Sequence, residues 1–409
     1  MRLSFNQKYD INLTALIKAQ DKMQTASNKL NSQTRILTPA DDPSGAARVS
    51  ALEQQIETAT QFQTNSNILK NGLSVEETVL SSIQGSITRA RTLTVSLGNG
   101  SYAQTERLAV AKELTNLRSE IYDLMNQKDS NGGFIFSGFK EQNQTYTLNP
   151  STGYYDFGGD EGQKYLQISS SVTIPSNDSG KNVFENVDGR YKTNNLSVGG
   201  GISSAKISML NQSAFDDFYR QKYDAVTPAN NDYRVNFTAP DQYEIRLQSG
   251  AALTPAVTGT ALPGQPVNFQ GLSIESKGTF PGAVDFSLKA PEKKNILNTL
   301  TDIINAVEKD ALAGDALQDK LLDATNQMER AAARVGDTIS SIGGRQNLLT
   351  SVSGSTADLK IANTQYRADI YEIDLYEGLT ELTKQETILQ TVQGTFTKVT
   401  STSLFDYIR

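Results

Sequence analysis

Neither histidine nor cysteine occurs among the 409 residues. For this chain alone, that double absence excludes a Ser-His-Asp triad, a Cys-His pair, a thiolate nucleophile, a zinc finger, an iron-sulfur centre and a disulfide staple. Most familiar enzyme sites are thereby removed, and no cofactor is expected. Charged residues are sparse at 20%, hydrophobic ones reach 37%, and Ser, Thr, Asn and Gln carry much of the polarity. The net charge of -7 and a pI near 5.0 argue against nucleic-acid or anionic-membrane partners, which call for clustered Lys and Arg. No window approaches the roughly 18 consecutive apolar residues of a membrane span. The opening Met1-Arg2-Leu3-Ser4-Phe5-Asn6 lacks the basic-then-apolar build of a cleavable signal, so the chain is expected to stay in the cytosol or to leave by a route that reads no removable signal.

At about 100 to 200 residues per domain, the length allows two to four domains. The pattern along it is helical at both ends and strand-like in the middle. A heptad seam runs from Tyr9 through Leu13, Leu16, Gln20, Met23, Ser27, Leu30 and Thr34 to Leu37, with every second rung softened. Its helix is expected to end near Thr38-Pro39, because proline disfavours helix in the residue before it. Asp42 then reads as an N-cap and Pro43 as the first residue of the next helix. That helix carries a stripe from Leu52 to Leu97, is broken at Gly98-Asn99-Gly100-Ser101, and is followed by a shorter one striped by Val110, Leu114, Leu117, Ile121 and Leu124.

Beyond Asn131-Gly132-Gly133 the period changes to short strands among Gly, Asn, Asp and Ser, with alternation clearest in Tyr243-Glu244-Ile245-Arg246-Leu247. Helical signal resumes at Ile296. A seam from Leu317 to Val352 has Gly343-Gly344 as its soft spot, and a last one runs through Leu375, Leu379, Leu382, Glu386, Leu389, Gln393 and Phe396 to the tip Leu404-Phe405-Asp406-Tyr407-Ile408. The fold class is therefore mainly α with a β-rich insertion: paired terminal coiled-coil helices, a long helical rod domain and an outward β-rich domain. The boundaries are residues 1–45 with 365–409, residues 46–186 with 290–364, and residues 187–289. The two ends are expected to pair. Residues 1–40 hold six basic residues against two acidic ones, +4, and residues 365–409 hold four against seven, -3.

Three apparent sites dissolve on inspection. Asp41 and Asp42 are neighbours whose side chains diverge, and capping explains them better than acid-base chemistry. The run Asp156 to Gly162 lacks the alternating acidic ligands and distal Glu of a calcium loop. The glycines at 98, 100 and 199–201 are followed by no Lys-Ser or Lys-Thr of a phosphate loop. The terminal seams differ from ordinary core, because a two-helix pair with polar rungs is marginal in water and is expected to order when neighbouring copies bury its other faces.

The run Ser27-Asn28-Lys29-Leu30-Asn31-Ser32-Gln33-Thr34-Arg35-Ile36, followed by Thr38-Pro39-Ala40-Asp41-Asp42-Pro43-Ser44, resembles the N-terminal region of the bacterial flagellin superfamily. The Pro after the Asp pair, the closing Ser403-Leu404-Phe405-Asp406-Tyr407-Ile408, the stretch Asn131 to Lys140 and Gly343-Gly344-Arg345-Gln346-Asn347 are more similar to members at the hook-filament junction than to the filament subunit. The resemblance covers residues 1–170 and 290–409.

It implies a non-enzymatic structural subunit of the flagellum, exported unfolded through the flagellar type III channel. The implied partners are copies of itself in a ring, hook-associated protein type 1, flagellin and a cytosolic export chaperone. Subunit assembly is expected to use Leu13, Leu16, Met23, Leu30, Leu37, Leu375, Leu379, Leu382, Leu389, Phe396, Leu404 and Phe405. The chaperone is expected to bind Leu382, Ile388, Leu389, Val392 and Phe396. Two alternatives remain at this point: filament flagellin, and an exported adhesin or glycan-binding protein that works through the β-rich middle.

Overall fold

The computed structural model describes residues 5–99, 102–239, 241–308 and 315–405. Its elements run α1 (Phe5–Ser32), α2 (Pro43–Leu97), α3 (Gln104–Met125), β1 (Tyr146–Leu148), β2 (Tyr155–Phe157), β3 (Tyr165–Gln167), β4 (Thr173–Pro175), β5 (Thr193–Met209), α4 (Gln212–Lys222), β6 (Asp232–Ala239), β7 (Gln242–Leu247), β8 (Ala252–Thr260), β9 (Val267–Phe269), β10 (Leu272–Leu288), α5 (Ile296–Glu308), α6 (Asp315–Tyr371) and α7 (Leu375–Phe405). They form two compact units. One comprises residues 1–71, 165–174 and 344–409, the other residues 72–164 and 175–343.

In the first unit, α1 ends at Ser32 rather than at the expected Thr38-Pro39. The cause is a change of backbone direction at Gln33, whose φ is 55°. The chain then runs extended beside the α6–α7 connection. Thr34 bridges Glu372, Arg35 N–H donates to Tyr371 O at 2.8 Å, and Ile373 N–H donates to Gln33 O at 3.2 Å. The next turn is fixed by the two aspartates. Asp41 Oδ2 accepts from the N–H groups of Leu37 and Thr38, both at 3.1 Å. Asp42 Oδ1 accepts from Gly45 N–H at 2.9 Å, the N-cap bond anticipated for a helix opening on Pro43. Those backbone donors, Thr38 first, hold the Asp41 carboxyl below its usual range, and Gly45 does the same for Asp42.

In the second unit, the later part of α2 packs with α3 and the first half of α6, and α5 packs on α3. Leu73, Leu80, Ile83, Ile87 and Leu97 of α2 are buried, as are Leu114 and Ile121, Leu297 and Leu300, and Met328, Val335 and Ile342. Polar pins set the register: Gln84 Nε2 donates to Ala332 O at 3.0 Å, and Arg91 pairs with Glu329 at 3.0 Å. Helix α6 runs without a break through Gly343-Gly344, the expected soft spot.

The middle of the chain is a six-stranded antiparallel sheet of order β5-β10-β6-β7-β8, with β9 also paired to β10. Helix α4 was not anticipated there. Its Phe215, Phe218 and Tyr219 recur at helical spacing and are buried against the sheet's Tyr233, Phe269 and Phe286, and Asn211 caps it by accepting from Ala214 N–H at 3.1 Å. Below the sheet the connecting strand is clamped to α6. Arg190 lies 2.5 Å from Asp319 and 3.2 Å from Asp323, Lys192 3.0 and 2.5 Å from the same pair, and Arg330 sits 4.3 Å over the Tyr191 ring.

Candidate assembly surface of the terminal helices

Helices α1 and α7 pack along one another, and the side chains that do so are a corrected set. On α1 the half-buried or buried stripe is Leu13, Leu16, Ala19, Met23, Ala26 and Leu30. Ala19 and Ala26 take the places assigned to Gln20 and Ser27: Gln20 is exposed, and Ser27 is half-buried beside the buried Ala26. On α7 the stripe is Gly378, Leu382, Gln385, Leu389, Val392 and Phe396, so Gln385 and Val392 replace the exposed Glu386 and Gln393. The physical reason is close approach. Alanine and glycine let backbones come together, and at Gly378 an added Cβ would lie 3.0 Å from Ile373 Cδ1 and 3.2 Å from Leu30 Cδ1.

Tyr9 and Phe396 meet near the free ends, ring centroids 5.5 Å apart and tilted by 50°. Buried Gln385 donates from Nε2 to Glu381 Oε1 at 2.6 Å, and Lys384 reaches the same carboxylate at 3.1 Å. These hydrogen bonds, Gln385 first, hold Glu381 below its usual range, with Lys22 of α1 adding a smaller attraction. Among the described residues, no ion pair joins Glu377 or Glu386 to α1. The opposite charges of the two ends are thus little used within one chain.

Other predicted residues fall elsewhere. Leu37 lies in the α1–α2 connection, half-buried, rather than on α1. Leu375 and Leu379, 57% and 56% exposed, stand off the α1 seam beside the still more exposed Tyr376. Ile388 is exposed on another face of α7. The side chains of Leu404 and Phe405 lie outside those described. Ile11 and Ile17 on α1, and Leu359, Ile361 and Tyr366 on the end of α6, are further large apolar groups left in the open. Sequence periodicity picked one stripe per helix and had no signal for this second set.

Residues 3–141 match the bacterial flagellin N-terminal helical region. The chain carries a flagellin-type helical region. A relative, flagellar hook-associated protein 3 of Salmonella typhimurium, is 27% identical over 187 residues, which is 46% of this chain and 58% of that one. The matched part therefore spans somewhat over half of the relative's length. Among solved structures, flagellar hook-associated protein-3 of Legionella pneumophila aligns with a TM-score of 0.56 at 22% identity, covering 79% of this chain and 99% of that one. Xanthomonas campestris FlgL aligns with a TM-score of 0.55 at 20% identity, covering 78% and 99%. Long terminal helices flanking a β-rich middle are thus the fold of the hook-associated protein 3 structures, as the period change along the sequence implied. No described helix is long and apolar enough to cross a membrane.

Proposed function

We propose that this protein is a non-enzymatic structural subunit of the bacterial flagellum, an adaptor at the hook-filament junction. The observation that carries this reading is the surplus of apolar surface on the terminal helices of a hook-associated-protein-3 fold. Leu13, Leu16, Met23, Leu30, Leu382, Leu389 and Phe396 join α1 to α7, while Leu375, Tyr376 and Leu379 remain for neighbours. A monomer gains nothing from such exposed groups, whereas an assembly buries them at about 25 cal/mol per Å².

The partners in this reading are copies of the chain arranged in a ring, hook-associated protein type 1 on one side and flagellin on the other. Before export, a cytosolic chaperone would take Leu382, Ile388, Leu389, Val392 and Phe396. In the folded chain all of these but Ile388 face α1, so chaperone and α1 compete for one stripe, which suits escort of a chain not yet folded. The outer three-part division, with residues 1–45 and 365–409 as the assembly segment, belongs to the same proposal.

Immunogold labelling of isolated flagella tests it. Label confined to the hook-filament junction is the expected result. Label along the whole filament would make the protein a filament flagellin, and absence from flagella would reject the flagellar role.

A further inference from the structure

A cavity of about 170 Å³ lies within the second unit, at the root of the β-rich region. Both connecting strands wall it, through Arg190 and Lys192 on one side and Lys294 on the other, together with Thr299 of α5 and Asp323 and Gln327 of α6. At about 30 Å³ per molecule it has room for five or six waters, roughly the bulk of a small sugar.

Three polar atoms of its wall are buried and lack hydrogen bonds. Gln327 is 3% exposed. Its Nε2 donates to the carbonyls of Val187 and Lys294, which fixes the amide's orientation and leaves Oε1 an acceptor with no donor. Asp323 Oδ1 and Arg190 Nε form an ion pair at 3.2 Å but make no hydrogen bond, to each other or to another group. The Arg190 side chain is 7% exposed. A buried acceptor left bare costs about 1–3 kcal/mol, so such atoms call for an occupant.

The charges narrow its class. Arg190 and Lys192 are matched by Asp319 and Asp323, Lys294 by Asp302, and Lys289 by Glu292 at 2.6 Å, which leaves Lys320 as the one cation of the wall beyond that balance. An anion would have to displace these carboxylates. What the wall offers is one bare acceptor, Gln327 Oε1, beside an ion-paired acceptor and donor that still lack hydrogen bonds, with one cation in excess, which suits groups that donate and accept at once. We propose that this cavity binds a small neutral polyol, its hydroxyls donating to Gln327 Oε1 and Asp323 Oδ1 and accepting from Arg190 Nε. An occupant there would tie both connecting strands to α6.

The test is a titration of the full-length chain with D-ribose, D-glucose and myo-inositol, read by saturation-transfer NMR on the ligand and by the Gln327 side-chain amide signals on the protein. Saturable binding that moves the Gln327 NH2 signals is expected. Ala324→Leu, which fills the cavity without removing a polar group, should weaken binding at least tenfold. Should that variant fold poorly, Ala324→Val, which fills less of the cavity, serves instead with a smaller loss. No saturable binding by any of the three would mean the cavity holds ordered water only and overturns the proposal. So would binding that leaves the Gln327 signals still.

Discussion

Tyr9 and Phe396, from opposite ends of the chain, bring their rings to 5.5 Å. The contact sits at the far end of the α1–α7 seam, whose other end is closed by the Thr34–Glu372 bridge. Between them the seam is made of half-buried leucines and two alanines, a narrow interface that one additional charge can open.

Replacing both Leu389 and Phe396 with Asp is therefore expected to separate α7 from α1 and abolish incorporation into flagella. The β-rich region, whose core of Tyr233, Val235, Phe237, Val284 and Phe286 is independent of that seam, should stay folded. Far-UV circular dichroism would show lost helix with retained sheet signal, and flagella from a complemented deletion strain would lack the protein. Normal incorporation of the double variant would count against the seam's role.

Glycine substitutions at the start and in the middle of the long helices should have opposite signs. At Gly45 an added Cβ would lie 2.3 Å from Asp42 Oδ2 and 2.8 Å from Ile36 Cδ1, so Gly45→Ala disturbs the cap and is expected to cost about 1–3 kcal/mol. At Gly343 and Gly344, inside α6, an added Cβ meets nothing within 4 Å. Alanine at either place should stabilise the helix by about 0.5–1 kcal/mol. Thermal unfolding of the single variants checks both directions.

Stability should fall at both pH extremes. Burial works against ionisation of Asp319, but the hydrogen bond from Lys192 and the charges of Arg190 and Lys192 outweigh it and hold its carboxyl below the usual range. A depressed folded value means the unfolded state binds more protons, so this contribution is present above about pH 4 and is lost as pH drops below it. Faster hydrogen exchange in the segment around Arg190 and Lys192 should mark that loss, and Asp319→Asn should remove the pH dependence there. On the alkaline side, burial pushes Tyr233 up to about 12. The folded state then holds its proton longer than the unfolded one, and stability declines as pH rises from 10 toward 12. Absorbance at alkaline pH should show Tyr233→Phe removing a late-titrating phenol.

Much of this architecture could be read from residue order, and the exceptions have physical reasons. The Asp42-Pro43 start was legible because cap chemistry is local. The stripes of α2 and α6 were legible because Leu80, Ile83 and Ile87 or Met328, Val335 and Ile342 repeat with nothing to compete. In α1 the choice between Ala19 and Gln20 was not legible, since either continues a three-four rhythm and only the approach of α7 selects the smaller. Helix α4 was hidden by its setting among strands, although Phe215, Phe218 and Tyr219 carried its period. The early end of α1 comes with the turn at Gln33 and the bridge from Thr34 to Glu372, far along the chain, and no local signal announces it. The exposed Leu375 and Leu379 look the same in sequence as Leu382, and which of them faces α1 is a matter of packing.

The most direct test of the central claim is hydrogen exchange measured on the dilute monomer and on the assembled protein. The account predicts that in the monomer the amides of α1 and α7 exchange far faster than those of β10, and that assembly with flagellar neighbours slows them at least a hundredfold. Terminal helices already as protected as β10 in a dilute solitary chain would contradict it.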